Sequence, residues 1–409
     1  MRSRRGPIRV PAWLGRVLAL ACAIGPSVQA AIIVPVVIDL RTEIEAGRLD
    51  PARDAVGIRG SHAPLSWQLP LMARPLGQGR YGLEIRFEKP PFGNQPVQYK
   101  FRIERPGQRP DEGWEPGRNH AVRLEGQTTR IERAFGAEPA AVAWSRTGVI
   151  ERLGPITSAH VAPRSVQVWL PPGYAADTTR RHPVLYLHDG QNVFDGESAG
   201  AEWMVDETAQ RLAEQGAIEA PIIVAVDSVA TRMRDYTPTS MTLPAHRTGT
   251  GRAETAGGGA AAYGRFLAEE LKPMIDARYR TRTDPASTAV GGSSLGGLVS
   301  LWLALHRSDT FGAALVVSPS VWWDEQAALR DVRTLASLPS PRPRLWLDMG
   351  AKEGVEALPA ARHLQQALME RGWDATTLNF TEDADGSHDE PSWAARVEGM
   401  LRFLYRRLR

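Results

Sequence analysis

The sequence predicts an α/β protein with a doubly wound, mostly parallel sheet, preceded by a small all-β sandwich domain. After about residue 150, short apolar runs alternate with stretches of helical periodicity. Strands that are apolar on both faces and separated by helices are typical of a parallel sheet covered on both sides. Before about residue 135, short segments with period-two alternation are broken by Gly and Pro, as in a sandwich. The apolar runs are residues 166–170, 184–188, 222–226, 313–317 and 345–348, and the helical stretches are residues 202–215, 261–278, 295–307, 358–371 and 391–407.

Residues 1–30 have the pattern of an export signal rather than of a folded element. Five arginines precede the apolar run at residues 17–24, and small residues near position 30 offer a cleavage site. The run is too short to span a bilayer, which takes roughly 20 apolar residues. We therefore expect an exported protein, periplasmic or secreted, that has no membrane partner once the signal peptide is removed.

Removal of this signal changes the charge of the chain. The whole sequence has 49 Lys and Arg against 46 Asp and Glu, and the signal holds five arginines and no acid, which leaves a net charge of about −2. This balance argues against a nucleic-acid partner. The single cysteine, Cys22, also lies in the signal. Neither a cysteine nucleophile nor a zinc-thiolate site is therefore expected, and no metal or organic cofactor is called for.

The mature chain is predicted to contain two domains joined by a linker. The sandwich strands have clear period-two alternation, whereas the low-complexity stretch at residues 249–262 predicts a mobile loop just before a helix. The strands are residues 55–60, 81–87 and 97–103. The predicted boundaries are residues 31–135 for the sandwich, 136–150 for the linker and 151–409 for the α/β domain.

The most informative motif is G-x-S-x-G at residues 292–296, which is centred on Ser294. A short buried strand precedes it and a helix follows it, so the motif occupies the strand-to-helix turn that presents a nucleophilic serine. The glycines suit this position because strand and helix come close at such a turn. Ser294 is therefore the predicted nucleophile.

A serine hydroxyl needs a base, and the base needs an orienting acid; in this kind of fold they follow the serine in the order acid, then histidine. His388 lies in a polar loop between the last strand and the last helix, so it is the predicted base. His306 and His363 fall in helical stretches and are predicted to be surface or packing residues.

The acid is expected in the loop that follows the strand at residues 345–348. Glu353 lies in this loop and is the first choice. Asp348, which would sit inside the strand, is the second choice, and Glu356 is the third. The alternative for each is a surface carboxylate in a weak ion pair.

An oxyanion hole needs two backbone N–H groups directed at the developing negative charge. Leu295, the residue after the nucleophile, supplies one. The amide of Gln191, in the loop after an early strand, is the candidate for the second. His188, which ends that strand, is assigned an orienting or packing role.

Several motifs occur in the order expected of one family, and they span about residues 150–409. The chain resembles the esterase-D-type α/β-hydrolases, which include feruloyl and acetyl-xylan esterases, S-formylglutathione hydrolase, mycolyltransferases and siderophore trilactone esterases. The resemblance implies the same roles for Ser294, His388, Gln191 and Leu295, with Glu353 as the acid in a loop where relatives often carry Asp. The motifs are LYLHDGQNVFD, DYTP, GGSSLGG, SPSVWW and GSHD.

The amino-terminal block is similar to starch-binding carbohydrate modules. It has their order of a glycine strand, a tryptophan, a Tyr-Lys-Phe strand and a Trp-Glu turn with Asn, although no glycine precedes the first tryptophan. The resemblance implies that Trp67 and Trp114 stack on sugar faces and that Lys100 and Asn119 bond to hydroxyls. The alternative is a scaffold with both tryptophans in its core.

The sequence thus predicts an exported serine hydrolase that cleaves carboxylic esters through an acyl-enzyme, with acyl groups on carbohydrate as one substrate class. Trp322, Trp323 and Tyr236 are expected to line the acyl or alcohol pocket, and core packing is the alternative for each. A siderophore trilactone esterase is the second hypothesis, which basic side chains such as Arg232 and Arg234 near the pocket would favour. A non-catalytic glycan-binding protein is the third. The partners are a small-molecule or carbohydrate-linked ester and a polysaccharide.

Overall fold

The computed structural model describes residues 31–406 except residues 90, 110, 141, 143, 198–199 and 246–251. The predicted signal at residues 1–30 and residues 249–251 of the predicted loop lie outside the described residues. In the part that is described, no helix has both the length and the apolar character needed to cross a membrane.

The amino-terminal region consists of short strands whose side chains alternate between a shared core and solvent. The strands pair in the order β6-β5-β2-β3-β4-β1-β7. Strand β3 joins two parts of this sheet, because its first half pairs with β2 and its second half with β4. The elements are β1 (Ile32–Asp39), α1 (Arg41–Glu45), β2 (Ala55–Gly60), β3 (Leu71–Gly77), β4 (Arg80–Phe87), β5 (Val97–Glu104), β6 (His120–Val122) and β7 (Ile131–Ala134).

One hydrophobic core holds these strands together. Val36 of β1, Ile58 of β2, Ile85 of β4 and Phe101 of β5 are all buried in it. Burial of apolar surface, worth about 25 cal/mol per Å², is the main force that stabilises such a sheet. The strands form one continuous seven-stranded sheet, and the arrangement of two packed sheets stays a prediction.

The rest of the chain alternates strands and helices. The strands are β8 (Val149–Ile156), β9 (Arg164–Leu170), β10 (Val184–His188), β11 (Ile222–Val226), β12 (Ser240–Leu243), β13 (Glu254–Gly257), β14 (Thr288–Ser293), β15 (Ala313–Val317), β16 (Arg344–Gly350) and β17 (Leu378–Asp383). The helices are α2 (Val205–Glu214), α3 (Arg232–Asp235), α4 (Ala260–Arg265), α5 (Lys272–Arg278), α6 (Leu295–His306), α7 (Ala327–Thr334), α8 (Ala357–Glu370) and α9 (Glu390–Tyr405), and a π-helical segment (Phe266–Leu271) joins α4 to α5.

Eight of these strands form the central sheet, in the order β17-β16-β15-β14-β10-β11-β9-β8. The six from β17 to β11 are parallel, whereas β9 and β8 are added antiparallel. Alternate side chains enter cores on opposite faces: Val184 and Tyr186 face the layer that contains α6 and α8, and Leu185 and Leu187 face α2 and α9. The predicted α/β fold with a mostly parallel, doubly wound sheet is confirmed.

Two local predictions need correction. Strand β8 begins at Val149, inside the predicted linker, because its backbone pairs with β9. Residues 254–257, predicted to be loop, form strand β13, which pairs with β12. The local sequence of β13 has little strand propensity, so the pairing with its partner determines its conformation.

The parallel strands bring several loops to one edge of the sheet. The segments after β10, β14, β15, β16 and β17 all leave from the carboxyl ends of neighbouring strands. Ligands bind at this edge in open α/β sheets. The amino-terminal region packs nearby, where the Gln95 side chain donates to the Glu202 carbonyl at 3.0 Å.

Candidate active site

Ser294 occupies a strained turn between β14 and α6. Its backbone has φ 59° and ψ −121°, in the left-handed half of the map that a residue with a side chain rarely adopts. The neighbouring glycines are needed for close approach. A Cβ on Gly297 would lie 2.7 Å from the Val317 carbonyl oxygen, and one on Gly292 would lie 3.0 Å from His188 Cδ2. The predicted strand-turn-helix context of Ser294 is thus present.

His388 and Glu353 form a hydrogen-bonded pair of titratable groups at this edge. His388 Nδ1 lies 2.7 Å from Glu353 Oε2, and the indole of Trp393 meets the His388 ring edge-on at 5.2 Å. The carboxylate is buried, whereas the His388 side chain is 44% exposed. An imidazole whose Nδ1–H is bonded to a carboxylate keeps Nε2 available as an acceptor.

Two further donors hold the other oxygen of Glu353. Ser318 Oγ donates to Oε1 at 2.6 Å, and the Gly350 N–H donates to the same atom at 2.7 Å. Burial raises the pKa of Glu353, but the hydrogen bonds from His388 and Ser318 outweigh it and leave this pKa below its ordinary value. Glu353 is therefore ionised across the neutral pH range.

The structure separates the three candidates for the acid. Asp348 lies within β16, fully buried, and accepts from Trp346 Nε1 at 2.7 Å rather than from His388. Burial raises the pKa of Asp348 to about 6. Glu356 lines the cavity but precedes α8. Of the three carboxylates, only Glu353 has a hydrogen bond with His388 among the contacts described.

The hydroxyl of Ser294 has a partner that the sequence did not predict. Ser320 Oγ lies 3.2 Å from Ser294 Oγ, and the Ser320 N–H donates to the Ser294 carbonyl at 3.0 Å. Ser294 and His388 line the same cavity. In this structure the Ser294 hydroxyl is therefore hydrogen-bonded to Ser320, in the cavity that His388 also lines.

This cavity has a volume of about 610 Å³ and mostly apolar walls. Trp322 and Trp323 line it, and Trp322 is half-exposed at its edge; Leu295, predicted as an oxyanion donor, also belongs to the lining. Trp323 is also fully buried and donates through Nε1 to the Thr239 carbonyl, so both interpretations of it hold. Tyr236 does not belong to the lining; it is buried in the core, where its hydroxyl accepts from the Asp189 N–H, so the packing alternative holds for it. The other apolar lining residues are Met233, Pro319, Val321, Met349, Val355, Ala357, Pro359 and Ala360.

The loop after β10, which carries Gln191, lies beside the elbow. Asp189 has φ 55° and accepts two hydrogen bonds from Arg232, at 2.6 and 2.8 Å. The Gln191 side chain is held by Ser228, through bonds of 2.6 and 3.0 Å. Arg232 lines the cavity but is paired with Asp189, and Arg234 does not belong to the lining.

Three other histidines, His188, His306 and His363, lie in three different environments. His188 is buried against the elbow glycines, its Nδ1 lies 2.9 Å from the Tyr263 hydroxyl, and burial lowers its pKa to about 3, which fits the packing role. His306 pairs with Asp331 at the surface, as expected. His363 is exposed on α8, as expected of a surface residue, and it also lines the cavity. Its position seven residues after Glu356 puts both near one face of α8 and could have indicated this.

The four residues implied by the starch-module resemblance lie on or beside the outward face of β5. The rings of Trp67 and Trp114 are 6.3 Å apart, and both are partly buried. Arg59 and Arg102 place guanidinium groups 5.5 and 5.4 Å from the Trp114 ring. Lys100 donates to the Gly117 carbonyl at 2.5 Å and Asn119 to Gln98 at 3.1 Å. Neither tryptophan belongs to the buried core, so the scaffold interpretation is wrong on that point.

Within the described ranges, no group of three or more His, Cys, Asp or Glu side chains could hold a metal ion.

Two solved structures are similar to this fold. The enterobactin esterase of Shigella flexneri has a TM-score of 0.59 and 16% identity, over 86% of this chain and 88% of that chain. The BES protein of Bacillus cereus has a TM-score of 0.52 and 22% identity, over 66% of this chain and 100% of that chain. At these identities the likeness shows the fold alone.

The chain belongs to the esterase family described as "Putative esterase", whose model matches residues 158–404, well over half of the chain. It is a carboxylic ester hydrolase. The third hypothesis, a glycan-binding protein without catalysis, is therefore wrong.

The curated relatives differ in how much of the chain they match. YbbA of Bacillus subtilis, whose description is "uncharacterized", is 25% identical over 249 residues, which are 59% of this chain and 92% of that protein. Ferri-bacillibactin esterase BesA of the same species is 33% identical over 163 residues, 38% of this chain and 54% of that protein. The siderophore enterobactin esterase of Emericella nidulans is 28% identical over 177 residues, 41% and 57% of the two chains. The chain thus spans little more than half the length of these two named esterases.

Proposed function

We propose that this protein cleaves carboxylic esters through an acyl-enzyme on Ser294. His388 takes the proton of the Ser294 hydroxyl as that oxygen attacks the ester carbonyl, and then returns it to the leaving alcohol. Water, activated by the same histidine, releases the acid. The observation that carries the proposal is the strained elbow at Ser294 in one cavity with the His388–Glu353 pair.

Two backbone amides are assigned to the oxyanion. The Leu295 N–H stands at the start of α6, where the helix leaves its first donors without internal partners. The Gln191 N–H is the second, in a loop that Arg232 and Ser228 hold in place. A preorganised donor of this kind is typically worth about 3 to 4 kcal/mol of the barrier.

We further propose that the preferred substrate is a neutral ester with an apolar acyl group, carried by an alcohol such as a carbohydrate. The walls near Ser294 are largely apolar, and the one arginine among them is paired with Asp189. Glu356 adds negative charge at the same cavity. An apolar pocket without excess cations suits a neutral acyl group better than a polyanion.

A siderophore trilactone esterase is the second candidate function. The names of the curated relatives favour it, since several are esterases of enterobactin or related siderophores. Arg232 at the cavity is the one basic group that supports it structurally.

The proposal of a carbohydrate ester includes two further parts. One is a glycan-binding role for Trp67, Lys100, Trp114 and Asn119, and the other is export directed by residues 1–30.

The nucleophile is tested first. Ser294→Ala should lose activity on p-nitrophenyl acetate by about 10⁴-fold or more, and should lose labelling by a fluorophosphonate probe. A Ser294→Ala protein that keeps its activity would refute the assignment.

The substrate is tested by comparing kcat/KM on acetylated xylan, methyl ferulate and a metal-free catecholate trilactone. A preference of more than tenfold for the trilactone would favour the siderophore function over the carbohydrate ester. Affinity electrophoresis in starch and xylan gels tests glycan binding separately, with Trp67→Ala as the control, because a binding surface retards migration and a scaffold does not.

A further inference from the structure

Ser318, at the end of β15, is a buried hydroxyl whose three neighbours fix the direction of its proton. Trp393 Nε1 and Arg396 Nη2, both from α9, donate to Ser318 Oγ at 3.0 Å each. An indole N–H and a guanidinium have no acceptor atoms, so neither can receive the serine proton. The third neighbour is Glu353 Oε1, at 2.6 Å. The Ser318 O–H therefore points at the carboxylate.

This donation determines which oxygen of Glu353 faces the histidine. Oε1 already accepts from Ser318 and from the Gly350 N–H, at 2.6 and 2.7 Å. Oε2 is left for His388 Nδ1, at 2.7 Å. A carboxylate held in this way accepts from Nδ1–H and keeps the imidazole in the tautomer whose Nε2 can take a proton.

The same residue separates the two buried carboxylates. Its N–H donates to Asp348 Oδ1 at 3.1 Å, while its hydroxyl donates to Glu353. Arg396 lies 3.6 Å from Asp348 and 3.9 Å from Glu353. Ser318 also has a positive φ of 41°, which directs its backbone and side chain to different partners.

From these contacts we infer that Ser318 is a positioning residue for the catalytic acid: it fixes Glu353, and through it the tautomer of His388, without touching the substrate's reacting atoms. The inference rests on the proposed roles of Ser294, His388 and Glu353. Arg396 and Trp393 in turn orient Ser318. Both donate to the lone pairs of its hydroxyl, so that its proton can point only at Glu353.

The titratable and charged groups that face this network come from four segments. They are His388 from the loop after β17, Asp348 from β16, Arg396 from α9 and Asp383 at the end of β17, which lies 3.9 Å from Arg396. Removal of the Ser318 hydroxyl takes a donor from Glu353 and leaves these charges in place. Glu353 should then bind a proton more readily, and protonated Glu353 no longer supports the required tautomer.

The test compares Ser318→Ala with Ser318→Gly. Both remove the hydroxyl, and glycine also accepts the positive φ, so this variant folds without backbone strain. We expect both to lower kcat roughly 10- to 100-fold with KM unchanged, because a buried hydrogen bond to a charged group is lost. The loss should be larger at pH 5 than at pH 8. Ser300→Ala removes another buried serine hydroxyl, bonded at 2.7 Å to the Gly296 carbonyl, and should leave kcat and its pH profile as in the wild type.

The outcomes separate this inference from the proposed function. If Ser294→Ala is inactive while both Ser318 variants keep the wild-type kcat and pH profile, the positioning role is refuted and the acyl-enzyme stands. If the two Ser318 variants lose activity by a factor that is the same at every pH, the hydroxyl does not act through Glu353 and the inference also fails. If Ser294→Ala stays active, the proposed function itself fails.

Discussion

The identity of the acid can be decided by two matched substitutions, Glu353→Gln and Asp348→Asn. Each replaces a buried carboxylate by its amide and changes little else in shape. Glu353 accepts hydrogen bonds from His388, Ser318 and the Gly350 N–H. An amide has only one oxygen for these three donors. If its oxygen stays with Ser318 and Gly350, its NH₂ faces His388 Nδ1, which must then become the acceptor.

The expected magnitude follows from this inversion. An imidazole that accepts at Nδ1 carries its proton on Nε2 and cannot act as a base towards Ser294. Loss of the correct tautomer in a serine-histidine-acid site costs about 10⁴-fold in kcat, which corresponds to about 5.5 kcal/mol. Asp348 has no contact of this kind, because its oxygens accept from Trp346 Nε1 and the Ser318 N–H. We expect Asp348→Asn to lower kcat by less than about tenfold.

The assay is kcat and kcat/KM on p-nitrophenyl acetate from pH 5 to pH 9, normalised to the folded fraction measured by near-ultraviolet circular dichroism. Asp348→Asn takes one carboxylate, at 3.6 Å, away from Arg396, but Glu353 and Asp383 stay 3.9 Å from it, so the folded fraction is measured for both variants. A 10⁴-fold loss in Asp348→Asn together with a loss under tenfold in Glu353→Gln would refute the assignment of Glu353.

Two further predictions concern the cavity edge and a buried acid. Trp322→Ala should lower kcat/KM for bulky aromatic acyl esters about tenfold and leave kcat/KM for acetyl esters nearly unchanged. The reason is that Trp322, 46% exposed, stands at the edge of the cavity, where only a large acyl group would contact it. Equal losses for both substrates would contradict this. Burial raises the pKa of Glu202 from 4.5 to about 8. The folded state therefore loses stability as the pH rises from 4.5 to 8, because the buried carboxyl has to ionise. At pH 7 this lowers the free energy of unfolding by about 3 kcal/mol. Glu202→Gln should therefore raise the free energy of unfolding at pH 7 by about 1 to 3 kcal/mol and flatten its fall between pH 5 and pH 8, as measured by urea denaturation; a variant whose stability falls with pH as steeply as the wild type would contradict it.

The sequence was most informative where function depends on local geometry. The elbow at Ser294 is encoded within a few residues, because the glycines around it permit the close approach of strand and helix. The parallel sheet follows from apolar runs of strand length, and the parallel order brings the loops of Glu353 and His388 to one edge. Both residues could thus be chosen before any contact was known.

The features that were missed depend on long-range contacts. Ser318 meets Trp393 and Arg396 only because α9 packs under the end of β15, 75 to 78 residues apart along the chain. Tyr236 belongs to the DYTP motif, and its burial against the Asp189 loop gives it a packing role. Local periodicity and short motifs do not predict which buried hydroxyl will contact a helix that is distant in the sequence.

The strain at Ser294 links the stability of the protein to its activity. A residue with a side chain at φ 59° and ψ −121° costs about 1 to 3 kcal/mol, and glycine largely avoids this cost. Ser294→Gly and Ser294→Ala should both be inactive, but only the glycine variant releases the strain. Because glycine also loses about 0.5 to 1 kcal/mol through its more flexible unfolded chain, we expect Ser294→Gly to be more stable than Ser294→Ala by about 0.5 to 2 kcal/mol in urea unfolding. If alanine proves as stable as glycine, the turn stores no strain, and the hydroxyl must be presented by the packing of Gly292 and Gly297 alone.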